Sequence, residues 1–320
     1  MMVTLKSLRN ALMLTAGALG LSLSANATPL SDYNLILLGD LNSNSIHVYD
    51  STFIGGNFNG NGWSEFGSRL PKNSTEVALE VAGNLSGPGV HIQAGYLNYG
   101  GNNNLGNINC NGQGLGGGAC VQGGVDLSDK AADLANQLYS DALWFSSLAA
   151  NGDLFTNGNN KNLRYTGDDD IAVFNLDGAS LFSQNSNWSL DAGSAQTVII
   201  NVSGTSIINA GGVNMNNGFQ ALANGSSIGA SNILWNFYEA TDINFGSMRV
   251  NGSVLAPYAA VTMYNDFDGA LAARSYTGQG QVHNFLFNWT PPKVEVPEPS
   301  SLLLLMMGLG LVGLARLRRR

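Results

Sequence analysis

The chain has 320 residues, of which 44% are hydrophobic and only 11% are charged. Charged residues make up about 25% of an average globular domain, so this composition argues against a helical bundle or a cytosolic α/β enzyme. Charge-driven disorder is also excluded, because it requires low hydrophobicity together with high net charge. Gly supplies 41 residues and Asn is nearly as common. The composition therefore favours a turn-rich β protein that can bury a core.

The first 27 residues have the organisation of a secretory signal peptide. A positively charged start and a mostly apolar run, residues 11–23, precede the small-x-small pattern Ala25-Asn26-Ala27. This pattern is typical of signal peptidase cleavage sites. The sequence predicts cleavage after Ala27, so that the exported chain begins at Thr28.

From residue 35 onward, short β-prone segments alternate with turn residues. Asn-Gly pairs recur between them and mark tight turns, because both residues tolerate a left-handed backbone. The spacing of about twenty residues predicts a β-solenoid, but the same strands also fit a β-sandwich, and periodicity alone leaves both open. The predicted strands are Leu35–Leu38, Ile46–Tyr49, Glu76–Val81, Ile171–Phe174, Thr197–Val202, Thr205–Ile208, Ile233–Phe237 and Ser253–Leu255.

One segment has helical rather than β periodicity. Residues 131–150 carry an apolar stripe at spacings of mainly three and four residues, which predicts one long amphipathic helix. Asp126 or Ser128 can cap its start, and Asn151-Gly152 can end it. We expect this helix to cover one face of the β structure.

The carboxyl end has three parts in a fixed order. Val296-Pro297-Glu298-Pro299-Ser300 precedes the apolar run 301–315, and Arg316, Arg318, Arg319 and Arg320 close the chain. About 15 helical residues span only about 22 Å, short of a ~30 Å hydrocarbon core. This arrangement resembles the PEP-CTERM sorting signal of Gram-negative bacteria. The resemblance implies recognition and removal of the tail by an exosortase, with transient inner-membrane contact through the apolar helix.

Removing both ends changes the charge of the protein. Residues 1–27 and 301–320 hold six of the 14 Lys and Arg residues and none of the 22 Asp and Glu residues, so the body between them has a formal charge of −14. This balance argues against nucleic acid and anionic membranes as partners, since both require a basic face. The resemblance to the PEP-CTERM signal implies an exosortase as the processing partner. Extracellular polysaccharide or cell-surface components are the other expected partners, and no cofactor is expected.

The chain contains two cysteines, Cys110 and Cys120, separated by a Gly-rich loop. In an oxidising compartment this pair predicts one disulfide. Zinc is a poor alternative, because no second cysteine or histidine pair stands nearby. Two polar insertions, residues 98–124 around the cysteines and residues 151–168, are predicted to be surface loops.

The body also resembles the choice-of-anchor A family over roughly residues 30–288. The similar segments are Tyr33–Leu41, Ile54–Phe58, Asn232–Phe245, Gly252–Pro257, Gly269–Ala273 and His283–Phe285. The segment Gly252–Pro257 is similar to the last coils of ice-binding-type β-helices. These resemblances imply a right-handed β-solenoid with one helix alongside, and no enzymatic activity. The predicted domain boundaries are a signal peptide (1–27), the solenoid (28–290), a linker with the Pro-Glu-Pro motif (291–300) and the sorting helix with its arginines (301–320).

The sequence contains few groups that could carry out chemistry. Asp168 and Asp170 could hold Ca²⁺, or act as acid and base in a carbohydrate-active enzyme. His47, His91 and His283 have no metal-ligand spacing, and none of the common nucleophile, phosphate-binding or zinc-protease motifs occurs. Regular Thr-x-Thr ladders, which ice binding would favour, are also missing from the sequence. Exposed tryptophans could bind glycans, and the candidates are Trp63, Trp144, Trp188, Trp235 and Trp289.

The leading hypothesis is an exported, exosortase-sorted, non-enzymatic scaffold or adhesin at the cell surface or in the extracellular matrix. The alternative is a carbohydrate-active enzyme or a glycan-binding module built on the same solenoid. No residue is predicted to be catalytic.

Overall fold

The computed structural model shows a mainly β chain whose strands stack in parallel, coil upon coil. It describes residues 27–72, 74–111, 120–215, 218–219 and 229–289. In the amino-terminal half the strands are β1 (Leu35–Leu37), β2 (Leu41–Val48), β3 (Thr52–Ile54), β4 (Phe58–Gly60), β5 (Ser64–Phe66), β6 (Val77–Val81), β7 (Leu85–Gly87), β8 (Val90–Ile92), β9 (Tyr96–Tyr99), β10 (Asn103–Leu105), β11 (Ile108–Cys110) and β12 (Val121–Gly123).

Two helices and thirteen further strands follow in the described residues. The helices are α1 (Ser128–Ser146) and α2 (Gly178–Leu181). The strands are β13 (Asp153–Asn157), β14 (Asn160–Arg164), β15 (Ile171–Asp177), β16 (Asn187–Asp191), β17 (Thr197–Ser203), β18 (Ser206–Ile208), β19 (Asn214–Met215), β20 (Ile233–Asn236), β21 (Asp242–Gly246), β22 (Val250–Asn251), β23 (Ser253–Met263), β24 (Phe267–Asp268) and β25 (Leu271–His283).

The main sheet wraps into three faces. The first consists of β15, β17, β20, β23, β25, β1, β3, β6, β9 and β12, in that order, and every neighbouring pair is parallel. The second runs β18, β21, β23, β25, β2, β4, β7 and β10. The third runs β22, β24, β25, β2, β5, β8 and β11. This parallel stacking rules out the β-sandwich alternative, because sandwich sheets are antiparallel.

The coils do not stack in chain order. The first strand, β1, pairs with β25 on one side and with β3 on the other. The chain therefore starts in the middle of the stack, builds coils to one end at β12, and starts again from β15 at the other end. Its last coil returns to the middle and pairs with the first. The side chain of Asn34 contributes to this junction by donating hydrogen bonds to the carbonyls of Gly269 (2.9 Å) and His283 (3.0 Å).

Asparagines satisfy backbone groups at one corner of successive coils. Asp40 accepts a hydrogen bond from the backbone N–H of Asn57 (2.7 Å). In the same way, the side-chain oxygen of Asn57 accepts from the backbone N–H of Asn84 (2.9 Å). The side-chain oxygen of Asn84 accepts from the backbone N–H of Asn102 (2.8 Å). The backbone N–H groups at the corner have no partner within a strand, so they donate to side-chain oxygens of the neighbouring coil. This ladder gives a structural reason for the high Asn content.

Helix α1 covers part of the first face, which we call the helix-covered face. It packs against β17, β20 and β23. Asn201 and Asn236 of that face donate side-chain hydrogen bonds to the carbonyls of Phe145 and Ala142, both at 2.9 Å. Near the other end of the helix, Lys130 forms an ion pair with Glu80. The side chains that α1 buries are Leu134, Leu138, Asp141, Ala142 and Phe145.

Both ends of α1 differ from the sequence prediction, because the residue at the amino-terminal cap is Leu127 and not Asp126 or Ser128. At its start, Asp126 accepts hydrogen bonds from the Ser128 backbone (3.0 Å) and hydroxyl (2.6 Å), and these bonds lower the pKa of Asp126. The predicted end at Asn151-Gly152 is wrong, because the helix ends at Ser146. Asn151 instead pairs with β15: its N–H donates to the Val173 carbonyl (3.0 Å), and its side-chain oxygen accepts from the Val173 N–H (2.7 Å).

The described parts of the two polar insertions contain strands where loops were predicted. Residues 98–124 include β10, β11 and β12, which extend the stack by one more coil. Residues 151–168 include the antiparallel hairpin β13–β14, which continues in parallel with β16 and β19 as a separate small sheet. Sequence reasoning missed these strands because they are short and lack the regular apolar alternation of a half-buried strand.

A disulfide joins the end of β11 to the start of β12. Cys110 and Cys120 are paired, with their Cα atoms 6.2 Å apart. Cys120 is buried beside the core, so the bond closes the last coil at this end of the solenoid.

We expect reduction of this bond to destabilise the protein. In the chain-entropy description, a loop of this size contributes about 2–3 kcal/mol. Thermal unfolding with and without reductant measures the effect, and a Cys110→Ser, Cys120→Ser double variant should no longer respond to reductant. An unchanged melting temperature in a sample whose thiols are shown to be free would contradict this role.

Candidate functional site

The second face of the solenoid presents a long file of mostly polar side chains, and we call it the polar face. Its eight strands lie in register, and parallel strands are about 4.8 Å apart, so the file extends for about 34 Å. In spatial order, the outward residues of this file are Ile208, Asn244, Thr262, Thr277, Asn42, Asn59, Ser86 and Asn104.

The polar face is accessible at its centre and ordered over part of its length. Asn42 and Thr277, at its centre, are exposed. Asn59 donates a side-chain hydrogen bond to Asn42 (3.0 Å), and the Ser86 hydroxyl donates to Asn59 (3.1 Å). These bonds hold the side chains of three successive strands in place. A flat, pre-organised array of donors and acceptors can bind a large, repetitive surface with little loss of conformational entropy.

A second feature is a polar cavity of about 610 Å³ at the edge of the third face. Asp268, almost fully buried, lies between Arg249 (2.6 Å to Nη2) and His283 (2.5 Å to Nδ1). The other ring nitrogen of His283 lies 3.3 Å from the Gln281 side chain, which also accepts from the Tyr49 hydroxyl at 2.8 Å. Both ring nitrogens of His283 are therefore engaged in structural contacts. The cluster compensates a buried carboxylate and gives no activated nucleophile.

The predicted Ca²⁺ candidates lie in the connection between β14 and β15. Asp168, Asp169 and Asp170 are all exposed there. Asp170 accepts backbone hydrogen bonds from Gln196 (2.8 Å) and Thr197 (3.0 Å) through its own carbonyl. In the part of the chain that the structure describes, no three His, Cys, Asp or Glu residues are close enough together to hold a metal ion. Ca²⁺ binding by Asp168 and Asp170 stays a prediction.

The aromatic candidates separate clearly by exposure. Trp63 is 40% exposed, and its ring lies 4.6 Å from that of His91. Trp188, Trp235 and Trp289 are buried, and Trp144 is half-buried against Trp289. Of the five tryptophans, Trp63 is thus the one available to a glycan.

The three histidines do not form a common site. His47 and His91 lie on the third face in line with Glu65, which separates them. His283 belongs to the Asp268 cluster.

The export residues lie largely outside the described part of the chain. Ala25, the motif Pro297-Glu298-Pro299 and the four terminal arginines fall there. Ala27 and Thr28 are described, and the Ala27 carbonyl accepts a hydrogen bond from Gln137 of α1 (2.7 Å). No helix within the described residues is long and apolar enough to cross a membrane. The predicted membrane segment, residues 301–315, lies outside them and stays a prediction.

Comparison of the sequence with models of known protein families identifies the family of the domain. The model of a family described as an ice-binding-like adhesive domain matches residues 26–284. The chain belongs to the ice-binding-like adhesive domain family. This model does not carry the choice-of-anchor A name, so that resemblance is not confirmed. Membership of the adhesive domain family fits a non-enzymatic role.

The carboxyl end of this adhesive domain protein matches a second model. Residues 295–320 fit the PEP-CTERM protein-sorting motif, which confirms the predicted sorting signal. The motif implies an exported surface protein that an exosortase processes.

Solved structures with some similarity are ice-binding proteins. One, from the Antarctic ascomycete Antarctomyces psychrotrophicus, is 15% identical, with a TM-score of 0.31 over 81% of this chain and 97% of that one. Another, from an Antarctic bacterium of the Flavobacteriaceae, is 10% identical, with a TM-score of 0.28 over 78% and 79%. No curated protein matches the sequence.

Proposed function

We propose that this adhesive domain is exported, processed by an exosortase, and displayed at the cell surface or in the extracellular matrix as a non-enzymatic adhesin. Its polar face is the adhesive surface. The observation that carries the proposal is the file of eight outward side chains, seven of them polar, that crosses eight strands, while a helix packs on another face of the same solenoid.

The chemistry of the polar face suits a hydrated, repetitive partner. Amide and hydroxyl groups at intervals of about 4.8 Å can donate and accept along a polysaccharide chain without burying a charge. Near the centre of the file, Thr262, Thr277, Asn42 and Asn59 provide no ionised group. Extracellular polysaccharide is therefore the partner that this face fits best.

The test replaces small side chains of the polar face with bulky, uncharged ones, which should prevent close contact with the partner. In a Thr277→Tyr, Asn244→Tyr variant, both changes are on the polar face. We expect binding of the fluorescently labelled mature protein to cells that lack the gene to fall about ten-fold or more, which corresponds to about 1.4 kcal/mol. The matched control is Asn157→Tyr, Asn162→Tyr on the exposed β13–β14 hairpin, which should bind normally. Equal binding by both variants would overturn the assignment of the polar face.

A glycan-binding module centred on Trp63 is the second candidate, because the exposed indole could stack on a sugar ring. Trp63→Ala in the same binding assay separates the two. Loss of binding with Trp63→Ala and normal binding with the polar-face variant would favour the Trp63 site.

A further inference from the structure

The most unusual buried group in the domain is the carboxylate of Asp141 on helix α1. Asp141 is 9% exposed, and its Oδ2 atom is buried without a hydrogen-bond partner. None of the salt bridges among the described residues includes it. An unpaired buried charge is strongly destabilising.

The neighbour of this carboxylate is the start of the predicted mature chain. Thr28 is 1% exposed, and its hydroxyl is also buried without a hydrogen-bond partner. Burial raises the pKa of Asp141 to about 6, against a smaller opposing effect of the Thr28 side chain. A buried acid and a buried alcohol thus lie side by side, and no cation among the described residues forms a salt bridge with the acid.

The peptide bond that the signal peptidase is predicted to cut is held over the same helix. Gln137 donates its side-chain N–H to the carbonyl of Ala27 at 2.7 Å. Gln137 and Asp141 are four residues apart and so lie on one face of α1, one turn from each other. The nitrogen of Thr28, bonded to the Ala27 carbonyl carbon, therefore lies against this face of the helix.

Cleavage after Ala27 would change the chemistry of this nitrogen. Hydrolysis of the Ala27–Thr28 bond consumes one water, leaves a carboxylate on Ala27, and converts the amide nitrogen of Thr28 into a primary amine. An α-amino group has a pKa of about 7.7–8.0, so it is mostly protonated at neutral pH. The cut creates a cation beside a buried anion that lacks one.

We infer that Asp141 is the built acceptor for the α-ammonium group of Thr28, so that removal of the leader completes the fold. In the precursor the carboxylate is buried and uncompensated, and in the mature protein it is paired. This coupling disfavours stable folding before translocation and favours it afterwards. The inference rests on the leader cleavage that the proposed export requires, and it is independent of the adhesive face.

The test is a cycle of four exported proteins, with either Asp141 or Asp141→Asn and with either the natural start or Gly-Ser inserted between Ala27 and Thr28. The insertion keeps Ala27 at the cut but places the ammonium two residues, up to about 7 Å, further along the chain. With Asp141, the insertion should lower the melting temperature at pH 7 by about 5 °C. In the Asp141→Asn background, it should change the melting temperature by less than about 1 °C, because no charge remains to be paired.

A second readout follows the amine directly. Acylation of the Thr28 α-amino group at pH 7 should be about ten-fold slower in the natural protein than in the Asp141→Asn variant, because a paired ammonium gives up its proton less readily. This readout does not depend on overall stability. It therefore distinguishes ion pairing from a general packing effect of the substitution.

Two results would overturn the inference, and they differ from failure of the adhesin proposal. An intact mass showing that the exported protein starts at a residue other than Thr28 would remove the cation. A start at Thr28, with equal effects of the insertion in the Asp141 and Asp141→Asn backgrounds and equal acylation rates, would show that no ion pair forms. Cell binding enters neither measurement.

Discussion

Trp235→Ala is expected to lower the free energy of unfolding by about 4 kcal/mol, because it removes the largest side chain from a fully buried position. Trp235 is 0% exposed on β20. Its ring stacks with those of Phe219 (5.6 Å) and Phe237 (6.4 Å). Its indole N–H donates to the Asn251 carbonyl at 2.9 Å, a bond that links two strands of neighbouring coils.

The matched control for this variant is Trp63→Ala, at the exposed tryptophan. Surface substitutions typically change stability by less than about 0.5 kcal/mol. Urea unfolding followed by circular dichroism measures both variants, and their slopes should agree with that of the natural protein. If Trp63→Ala were as destabilising as Trp235→Ala, the interior assigned to the solenoid would be wrong.

Replacing Pro297, Glu298 and Pro299 with Ala is expected to abolish the surface form of the protein. The matched sorting motif covers residues 295–320 and implies recognition by an exosortase. Without the motif the tail should stay attached, and the four terminal arginines should hold it on the cytoplasmic side of the membrane. Immunoblots of surface, matrix and membrane fractions measure this directly.

Lys293→Ala provides the control, because Lys293 precedes the matched motif and should leave sorting unchanged. A motif variant that still reaches the surface without its tail would show that the Pro-Glu-Pro sequence does not direct processing.

Local sequence patterns were sufficient to predict many of the strands. The predicted segments Leu35–Leu38 and Thr197–Val202 coincide with β1 and β17, because each contains a run of aliphatic and β-branched residues. Cys110 and Cys120, predicted as a pair, are joined in the structure. The sorting signal was also evident, because its three parts stand next to one another in the sequence.

The stacking order could not be predicted from such patterns. Leu35 pairs with both Thr52, 17 residues away, and Leu271, more than 230 residues away. In a parallel solenoid no tight turn sets the pairing between one coil and the next, so local sequence carries little information about register. Periodicity fitted both a solenoid and a sandwich, and only the resemblance to ice-binding-type β-helices favoured the solenoid.

The polar face was missed for the same reason. Asn244, Thr277 and Asn42 are distant in sequence and form a file only once the coils stack. A ladder search for Thr-x-Thr motifs does not detect a surface in which Asn, Thr and Ser alternate between coils. A usable signal was the polar residue between two inward-facing ones in each strand, as at Asn42 between Leu41 and Ser43.

Buried polar groups were the hardest to foresee. In the sequence, Asn201 and Asn236 are ordinary polar residues of apolar strands, but in the structure they hydrogen-bond the helix to the sheet. Asp141 reads as a solvated helix residue. It is instead buried beside Thr28, a contact between distant parts of the chain that no local pattern reports.

The intact mass of the native protein in each cell fraction tests the central claim of export and sorting most directly. The account predicts a surface or matrix form that starts at Thr28 and lacks the apolar helix and arginines that follow the Pro-Glu-Pro motif. A protein found only in the inner membrane, with the leader or the full tail still attached, would contradict it.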